Sequence, residues 1–384
     1  MTTIDTQHTH ESCVHDLVPP QPVAPPAGES SHRARYWHAL EDGRLQCDLC
    51  PRECRLRDGQ RGFCFVRQRD GDHLNLTTYG RSSGFCVDPI EKKPLHHFYP
   101  GSSVLSFGTA GCNLGCKFCQ NWDISKSREM DRLMDQASPQ GIARTALAWR
   151  SRSVAFTYND PVIFAEYAED TARACRERGI NTVAVTAGYV NPEARAELFA
   201  VMDAANVDLK GFNDDFYRFV TGASLQPVLD TLVYLKHETD VWLEITTLLI
   251  PGHNDSEAEL RAMVRWIMAE LGPDVPHHFS AFHPDHRMRD VPATPLSTLV
   301  RAQQIALEEG LHFVYTGNLR NAEGETTRCS GCGHALIERD RYRIVAYRLA
   351  PDGTCPRCHL ALPGRFADHA EDFGPQRIPI SIGA

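Results

Sequence analysis

Eleven of the fourteen cysteines in this 384-residue chain fall into three tight groups. Cys47, Cys50, Cys54 and Cys64 form the first, Cys112, Cys116 and Cys119 the second, and Cys329, Cys332, Cys355 and Cys358 the third. Only Cys13, Cys86 and Cys175 stand apart. Gaps of two or three residues between thiols, which dominate these groups, are metal-ligand spacing. A disulfide scaffold is short and scatters its cysteines to close loops. The pattern therefore predicts three metal-binding centres in a reducing, cytoplasmic compartment, and any fold of this chain must gather each group around its metal.

The rest of the chain divides around these groups. Residues 1–35 are rich in Pro, His, Ser and Thr and read as a disordered tail, because they bury too little to offset their ordering entropy. Residues 36–100 read as an N-terminal Cys-rich module, 101–321 as a repeated βα domain, 322–365 as a zinc-ribbon-like module and 366–384 as a tail. Within 101–321, apolar strands are expected at 103–107, 153–158, 181–187, 206–210, 242–250, 277–283 and 312–317. Helices start at Asp160-Pro161, at Asn191-Pro192 and at Ser256, where Glu259 completes a capping box. Strands about 30 residues apart with helices between them predict a parallel sheet. No GxGxxG opens a helix, which disfavours a dinucleotide fold. Chemistry on such a sheet sits at the C-terminal strand ends, where the central cysteine loop, Asn159-Asp160-Pro161, the end of Val207–Lys210 and 282–285 all fall.

Forty basic against forty-nine acidic residues give a net charge of −9, which speaks against a general nucleic-acid or membrane-surface binder. No run is long enough to span a membrane, and the first residues lack the basic start and apolar stretch of a secretory signal.

The central loop runs Gly111-Cys112-Asn113-Leu114-Gly115-Cys116-Lys117-Phe118-Cys119. Three thiolates bind three irons of a cubane and leave a fourth open to an external chelator, such as the amine and carboxylate of S-adenosylmethionine (SAM). A structural zinc needs four protein ligands, and no fourth is near in sequence. C-x3-C-x2-C with an aromatic before the last Cys is the radical SAM signature. Together with 88–101, 108–125, 157–161, 207–210 and 248–255, it resembles the AmmeMemoRadiSam-system radical SAM enzymes, relatives of the pyruvate formate-lyase activating enzymes. The resemblance covers about residues 40–365. It implies an α/β fold, a partial (β/α)6 TIM-like barrel with SAM across the strand ends, flanked by small N- and C-terminal Cys-rich metal modules. It further implies that Cys112, Cys116 and Cys119 ligate a [4Fe–4S] cluster and that Phe118 lies near the SAM adenine. Asn159 and Asp160 stand where relatives receive the SAM ammonium, although the glycines of that motif are absent here. Asp208 and Lys210 match a motif facing the SAM carboxylate, and His283 a histidine near the ribose. From the residues alone, Asp160 reads equally as a helix cap, Lys210 as a solvated charge and His283 as a core histidine.

The flanking groups carry their own expectations. Cys47, Cys50, Cys54 and Cys64 suit a structural zinc or a second iron–sulfur cluster, and spacing does not choose. Cys329, Cys332, Cys355 and Cys358 read as a zinc ribbon that staples a mini-domain. Residues 88–98 read as a solvated linker or a loop over the barrel mouth. The function expected is reductive SAM cleavage to a 5′-deoxyadenosyl radical that takes hydrogen from a protein or peptide. A small-molecule substrate, and a scaffold or electron carrier without turnover, are the alternatives. A reductase, flavodoxin or ferredoxin is expected as electron donor, and AMMECR1-like and Memo-like proteins as partners.

Overall fold

The computed structural model describes residues 32–126, 135–366 and 373–382. The tail expected at 1–35 lies mostly outside them, but its last residues are built in. His32–Arg33 forms a strand against His73–Leu76.

The core is one nine-stranded sheet. Its strands are β1 (Phe85–Pro89), β2 (Ser103–Phe107), β3 (Ser153–Phe156), β4 (Asn181–Thr186), β5 (Ala204–Asp208), β6 (Trp242–Leu249), β7 (His277–Ala281), β8 (Val314–Gly317) and β9 (Ile378–Ile380). Their spatial order is β8-β7-β6-β5-β4-β3-β2-β1-β9. β2 to β8 run parallel, whereas β1 pairs antiparallel with β2 and β9 antiparallel with β1. Six helices connect the parallel strands: α1 (Pro139–Ala148), α2 (Ala165–Arg176), α3 (Pro192–Phe199), α4 (Gln226–Glu238), α5 (Glu257–Glu270) and α6 (Leu296–Glu308). The six βα units and a seventh parallel strand make an α/β half-barrel that stays open between β8 and β9. β9 lies in the expected C-terminal tail, and Pro379 is tolerated there because β9 is an edge strand.

Alternation divides the sheet into two faces. Leu105, Phe107, Val154, Phe156, Ala184 and Ile245 point to the helices and are wholly buried. Val104, Ala155, Val183 and Ala204 face the other way, onto Ile90, Leu95 and Phe98. Residues 90–98 are therefore neither a linker nor a lid over the mouth. They form a floor on the concave face, at the N-terminal strand ends. Glu244, near the start of β6, accepts from the His96 and His97 backbone N–H groups at 2.9 and 2.8 Å and contacts His278 Nε2 at 2.7 Å. Lys93 is buried because it pairs with Asp88 at 2.7 Å. Burial alone would raise the Asp88 carboxyl, but Lys93 and Lys92 outweigh it and hold it below the usual range. β1 thus belongs to the central sheet, and the N-terminal module ends before it rather than at 100.

Both flanking modules are anchored by a buried arginine. The N-terminal one consists of two small antiparallel sheets, and Arg67, 0% exposed, leaves it to pair with Glu166 of α2 through two hydrogen bonds of 2.9 and 2.5 Å. The C-terminal one has strands Thr327–Arg328, Ala335–Asp340 and Arg343–Tyr347, and its core includes Phe313 and Tyr315 beside and in β8. Its Arg339, 1% exposed, donates to the His96 carbonyl at 2.8 Å, gripping the floor.

Among the described residues, no helix is long and apolar enough to cross a membrane.

Candidate functional site

The loop after β2 carries Cys112, Cys116 and Cys119, and other strand ends fix it. The Asn159 side chain, past β3, accepts from Thr109 N–H at 3.2 Å and donates to the Gly111 carbonyl at 3.0 Å. Asn113 Nδ2 donates to the Tyr189 carbonyl at 2.8 Å. Gly115 N–H and Lys117 N–H donate to the Thr221 and Val220 carbonyls at 2.7 and 2.9 Å. Cys112 Sγ accepts from Leu114 N–H at 3.4 Å, and Cys119 Sγ lies 3.0 Å from Ser125 Oγ. Burial pushes the Cys112 thiol up to about 12 and raises Cys116 too, while Lys126 pulls both down and Lys210 pulls on Cys116. One buried thiol, Cys116, and two half-buried ones, Cys112 and Cys119, with Lys126 and Lys210 nearby, fit a metal cluster that holds them as thiolates.

Lys210, past β5, lies 2.8 Å from Asp208 Oδ2, and its ammonium stands 5.9 Å from the centre of the Phe118 ring. Burial would push this ammonium down, but Asp208 and Cys116 outweigh it and keep it charged. Asn254 Nδ2 donates to the Lys210 carbonyl at 2.7 Å, and Glu259 accepts from Phe212 N–H at 2.7 Å. Ser256 caps α5 as expected, yet the Glu259 carboxylate turns to this loop instead of completing the box. Phe118 is buried, 6.1 Å from Phe216. His283 is half-buried in the loop after β7. The structure therefore gathers the central cysteines, Phe118, Asn159, Asp208 and Lys210 at one end of the sheet.

Asp160 behaves differently. It is 2% exposed, and its Oδ1 accepts from Val162 N–H at 3.1 Å and Thr186 Oγ1 at 2.9 Å. Oδ2 accepts from Ala187 N–H at 2.8 Å. Both oxygens are engaged in capping the turn before α2 and tying it to the end of β4. With Asn159 holding the cysteine loop, this pair positions the site and does not offer a free carboxylate to an ammonium.

Sequence reading missed Arg52, whose Nε donates to the Asn113 carbonyl and whose Nη2 donates to the Gly222 carbonyl at 2.5 Å. An arginine between Cys50 and Cys54 is a visible signal, but nothing local says that its partners lie in the central domain.

The three cysteine groups differ in spread. The sulfurs of Cys329 and Cys358 lie 3.5 Å apart and those of Cys332 and Cys355 3.7 Å apart, and all four fall within 4.8 Å of one another. Among the described residues, no other three ligand atoms of His, Cys, Asp or Glu come that close together. Four sulfurs on one tetrahedral ion, with metal–sulfur bonds of about 2.3 Å, stand about 3.8 Å apart. The C-terminal quartet fits a single ion, while the N-terminal and central groups are more open.

Residues 107–264 match the model of the radical SAM superfamily. An uncharacterized protein of Methanocaldococcus jannaschii is 40% identical over 327 residues, which are 85% of this chain and 96% of that protein. The pyruvate formate-lyase 1-activating enzyme of Escherichia coli K12 is 27% identical over 164 residues, covering 41% of this chain and 65% of that enzyme. The structure of a radical SAM methyltransferase from Sphaerobacter thermophilus aligns with 58% of this chain and 68% of its own, with a TM-score of 0.46 and 18% identity. Residues 107–264 thus carry a radical SAM domain, the chain is related over most of its length to the M. jannaschii protein, and its homology to the pyruvate formate-lyase activating enzymes is distant.

Proposed function

We propose that Cys112, Cys116 and Cys119 hold a [4Fe–4S] cluster whose open iron takes SAM, and that the resulting radical abstracts hydrogen from a protein or peptide, as an activating enzyme does. The observation that carries this reading is the hydrogen-bonded loop presenting three thiols, Cys116 buried and Cys112 and Cys119 half-buried, beside Phe118 and the Asp208–Lys210 pair. Bound there, the cluster supplies the electron that cleaves SAM to methionine and a 5′-deoxyadenosyl radical. Lys210 meets the SAM carboxylate as a fixed cation, with Asp208 keeping it charged and aimed. Phe118 faces the adenine and His283 the ribose. Asn159 and Asp160 hold the loop and the first turn in register.

The relation to activating enzymes supports a macromolecular substrate, and the AMMECR1-like and Memo-like proteins are the partners proposed. A flavodoxin, ferredoxin or reductase of the cytoplasm would supply electrons. The C-terminal quartet takes one zinc, as its sulfur spacing favours.

The experiment incubates the anaerobic enzyme with reductant, SAM and a partner whose non-exchanging hydrogens are deuterated. Deuterium is expected in 5′-deoxyadenosine, with a radical or mass change on the partner. Deuterium arriving only from a small-metabolite fraction would replace this reading with a small-molecule one. No 5′-deoxyadenosine under any condition would leave a scaffold or carrier.

A further inference from the structure

The N-terminal quartet is held as carefully as the central loop, yet the proposed reaction does not use it. Cys47 and Cys50 are buried, while Cys54 and Cys64 are half-buried. Cys47 N–H donates to the Cys54 carbonyl at 2.9 Å and Glu53 N–H to the Cys50 carbonyl at 3.1 Å, which folds the Cys47–Cys54 segment back on itself. Phe63 N–H donates to the Cys54 sulfur at 3.4 Å. Amides aimed at sulfur stabilise thiolates, and around an iron–sulfur centre they tune its potential.

The spread of the sulfurs decides which metal group they suit. Four thiolates on one ion stand about 3.8 Å apart, a spacing that the C-terminal quartet fits, with sulfurs 3.5 and 3.7 Å apart in two pairs. In the N-terminal quartet no three sulfurs come within 4.8 Å of one another. The central group, to which the proposed function gives a cubane, shares that openness. In a polynuclear cluster the thiolates are divided among different irons, so they stand farther apart than on one ion.

The module's position gives the cluster a use. Gly111, at φ +86°, packs so closely on Cys64 that an added Cβ would collide with the Cys64 carbonyl oxygen. Gly111 directly precedes Cys112. Arg52, between Cys50 and Cys54, holds the carbonyl of Asn113, the residue after Cys112. Its guanidinium lies 3.5 Å from the centre of the Phe63 ring, and Phe63, 39% exposed, reaches from solvent to Gly115. The ligand loops of the two cysteine groups are thus in direct contact, and the far side of the N-terminal group faces outward.

We propose that Cys47, Cys50, Cys54 and Cys64 ligate a second iron–sulfur cluster, which relays single electrons from a low-potential ferredoxin- or flavodoxin-type donor to the central loop. The donor loses one electron, the second cluster gains it and then yields it to the central site. No proton is taken up and no bond to the protein changes. The relay rests on the central-loop reading, but the presence of the second cluster does not.

The test uses the full chain with Cys112, Cys116 and Cys119 all replaced by Ala, reconstituted anaerobically with iron and sulfide. Iron and sulfide are expected in equal amounts, at least about two of each per chain. Reduction should give an electron paramagnetic resonance signal that SAM does not perturb. Adding Cys50→Ser and Cys64→Ser should abolish that signal and the iron, while zinc at the C-terminal quartet and the circular dichroism of the βα core remain. About two zinc ions per chain and no iron in the triple-Ala chain would overturn the cluster. In the otherwise wild-type chain, Cys50→Ser with Cys64→Ser should lower 5′-deoxyadenosine formation with a ferredoxin donor at least about tenfold. The SAM-responsive signal of the central site should persist under dithionite. Equal rates with the ferredoxin donor would overturn the relay. If the wild-type chain forms no 5′-deoxyadenosine while the triple-Ala chain still holds iron, the central-loop reading fails and the second cluster stands.

Discussion

The two four-cysteine modules are alike in composition and differ in how they meet the half-barrel. In the C-terminal module four sulfurs close on one point, and the strands around them pack on β8 and on the floor. In the N-terminal module the sulfurs stand wider, and the surrounding loops lock into the cysteine loop at the opposite end of the sheet. One module grips the end where the floor lies, and the other joins the end that holds the central cysteines. Ligand number does not distinguish the two roles. Sulfur separation and the end of the sheet to which each module is fastened do.

The largest effect expected from breaking this comparison comes from the single ion. Cys329→Ser with Cys355→Ser, in the full chain, should remove one zinc and leave the iron content unchanged. Structural zinc binding in small modules is worth roughly 10–16 kcal/mol and is folding energy for the module that holds it. Residues 327–362 should therefore lose hydrogen-exchange protection, and residues 90–98 should follow, because Arg339 and residue 365 hold them. An isolated fragment from this region is a poor test, since its core borrows Phe313 and Tyr315 and its Arg339 needs the His96 carbonyl. Unchanged protection at the floor would show that the staple stops at its own core.

Next come the anchoring arginines. Arg67→Met leaves the carboxylate of Glu166 buried without its bidentate partner, a loss of about 3–5 kcal/mol. Arg339→Met leaves mainly carbonyls, Glu325 and His96, plus Thr327 Oγ1. Glu91, 3.8 Å from Arg339, also accepts from Gly101 N–H at 2.8 Å. About 1–3 kcal/mol is expected there. Equilibrium denaturation should rank Arg67→Met as the more damaging. Arg67→Met with Glu166→Leu should recover most of the loss. The reverse ranking would mean that the floor, and not the N-terminal dock, limits stability.

Much of the central domain was legible because its signals are local. Short apolar strands, Ser256 before α5 and Pro161 at the start of a turn declare themselves within a few residues. What stayed hidden depends on how a residue packs in the fold, whether its partner is five residues away or 148. Lys92-Lys93 looks solvated until Asp88 and the sheet bury it, and His96-His97 looks polar until Glu244 accepts both amides. Asp160 was ambiguous between cap and ligand because its deciding partners, Thr186 and Ala187, belong to the next strand. The sheet's seventh parallel strand and its β9 edge were weakly marked, since both are short and pair at the margins.

Asp160 offers a smaller effect. Asp160→Ala removes a cap and a tie to β4, and about 1–2 kcal/mol of stability should go with it. SAM affinity, measured by isothermal titration on the reconstituted enzyme, should change by less than about threefold, because losing a charge-assisted bond to SAM itself would cost about 1.5–3 kcal/mol. A much weaker affinity with an unchanged melting temperature would return Asp160 to the ligand role.

The smallest effect tests the dock itself, at Asn191. The sequence makes this residue the cap of α3, yet its side chain makes no capping bond. Asn191 Nδ2 donates instead to the Asp48 carbonyl at 2.8 Å, and its N–H to the Leu49 carbonyl at 3.1 Å, between Cys47 and Cys50. The side chain thus serves the N-terminal module at the expense of its own helix. Asn191→Ala should leave α3 intact and remove one neutral hydrogen bond, worth about 0.5–1.5 kcal/mol. Asn191→Asp separates the two roles more sharply. A carboxylate caps a helix well, but it has no N–H for the Asp48 carbonyl and would face it with like charge. Hydrogen exchange should therefore speed up at residues 45–56 in both variants, more in Asn191→Asp, while 192–199 is unchanged in the first and better protected in the second. Residues 327–362, fastened at the other end of the sheet, should not respond to either. A response confined to 192–199 would make Asn191 a cap after all and remove one of the bonds by which the N-terminal module is set against the central loop.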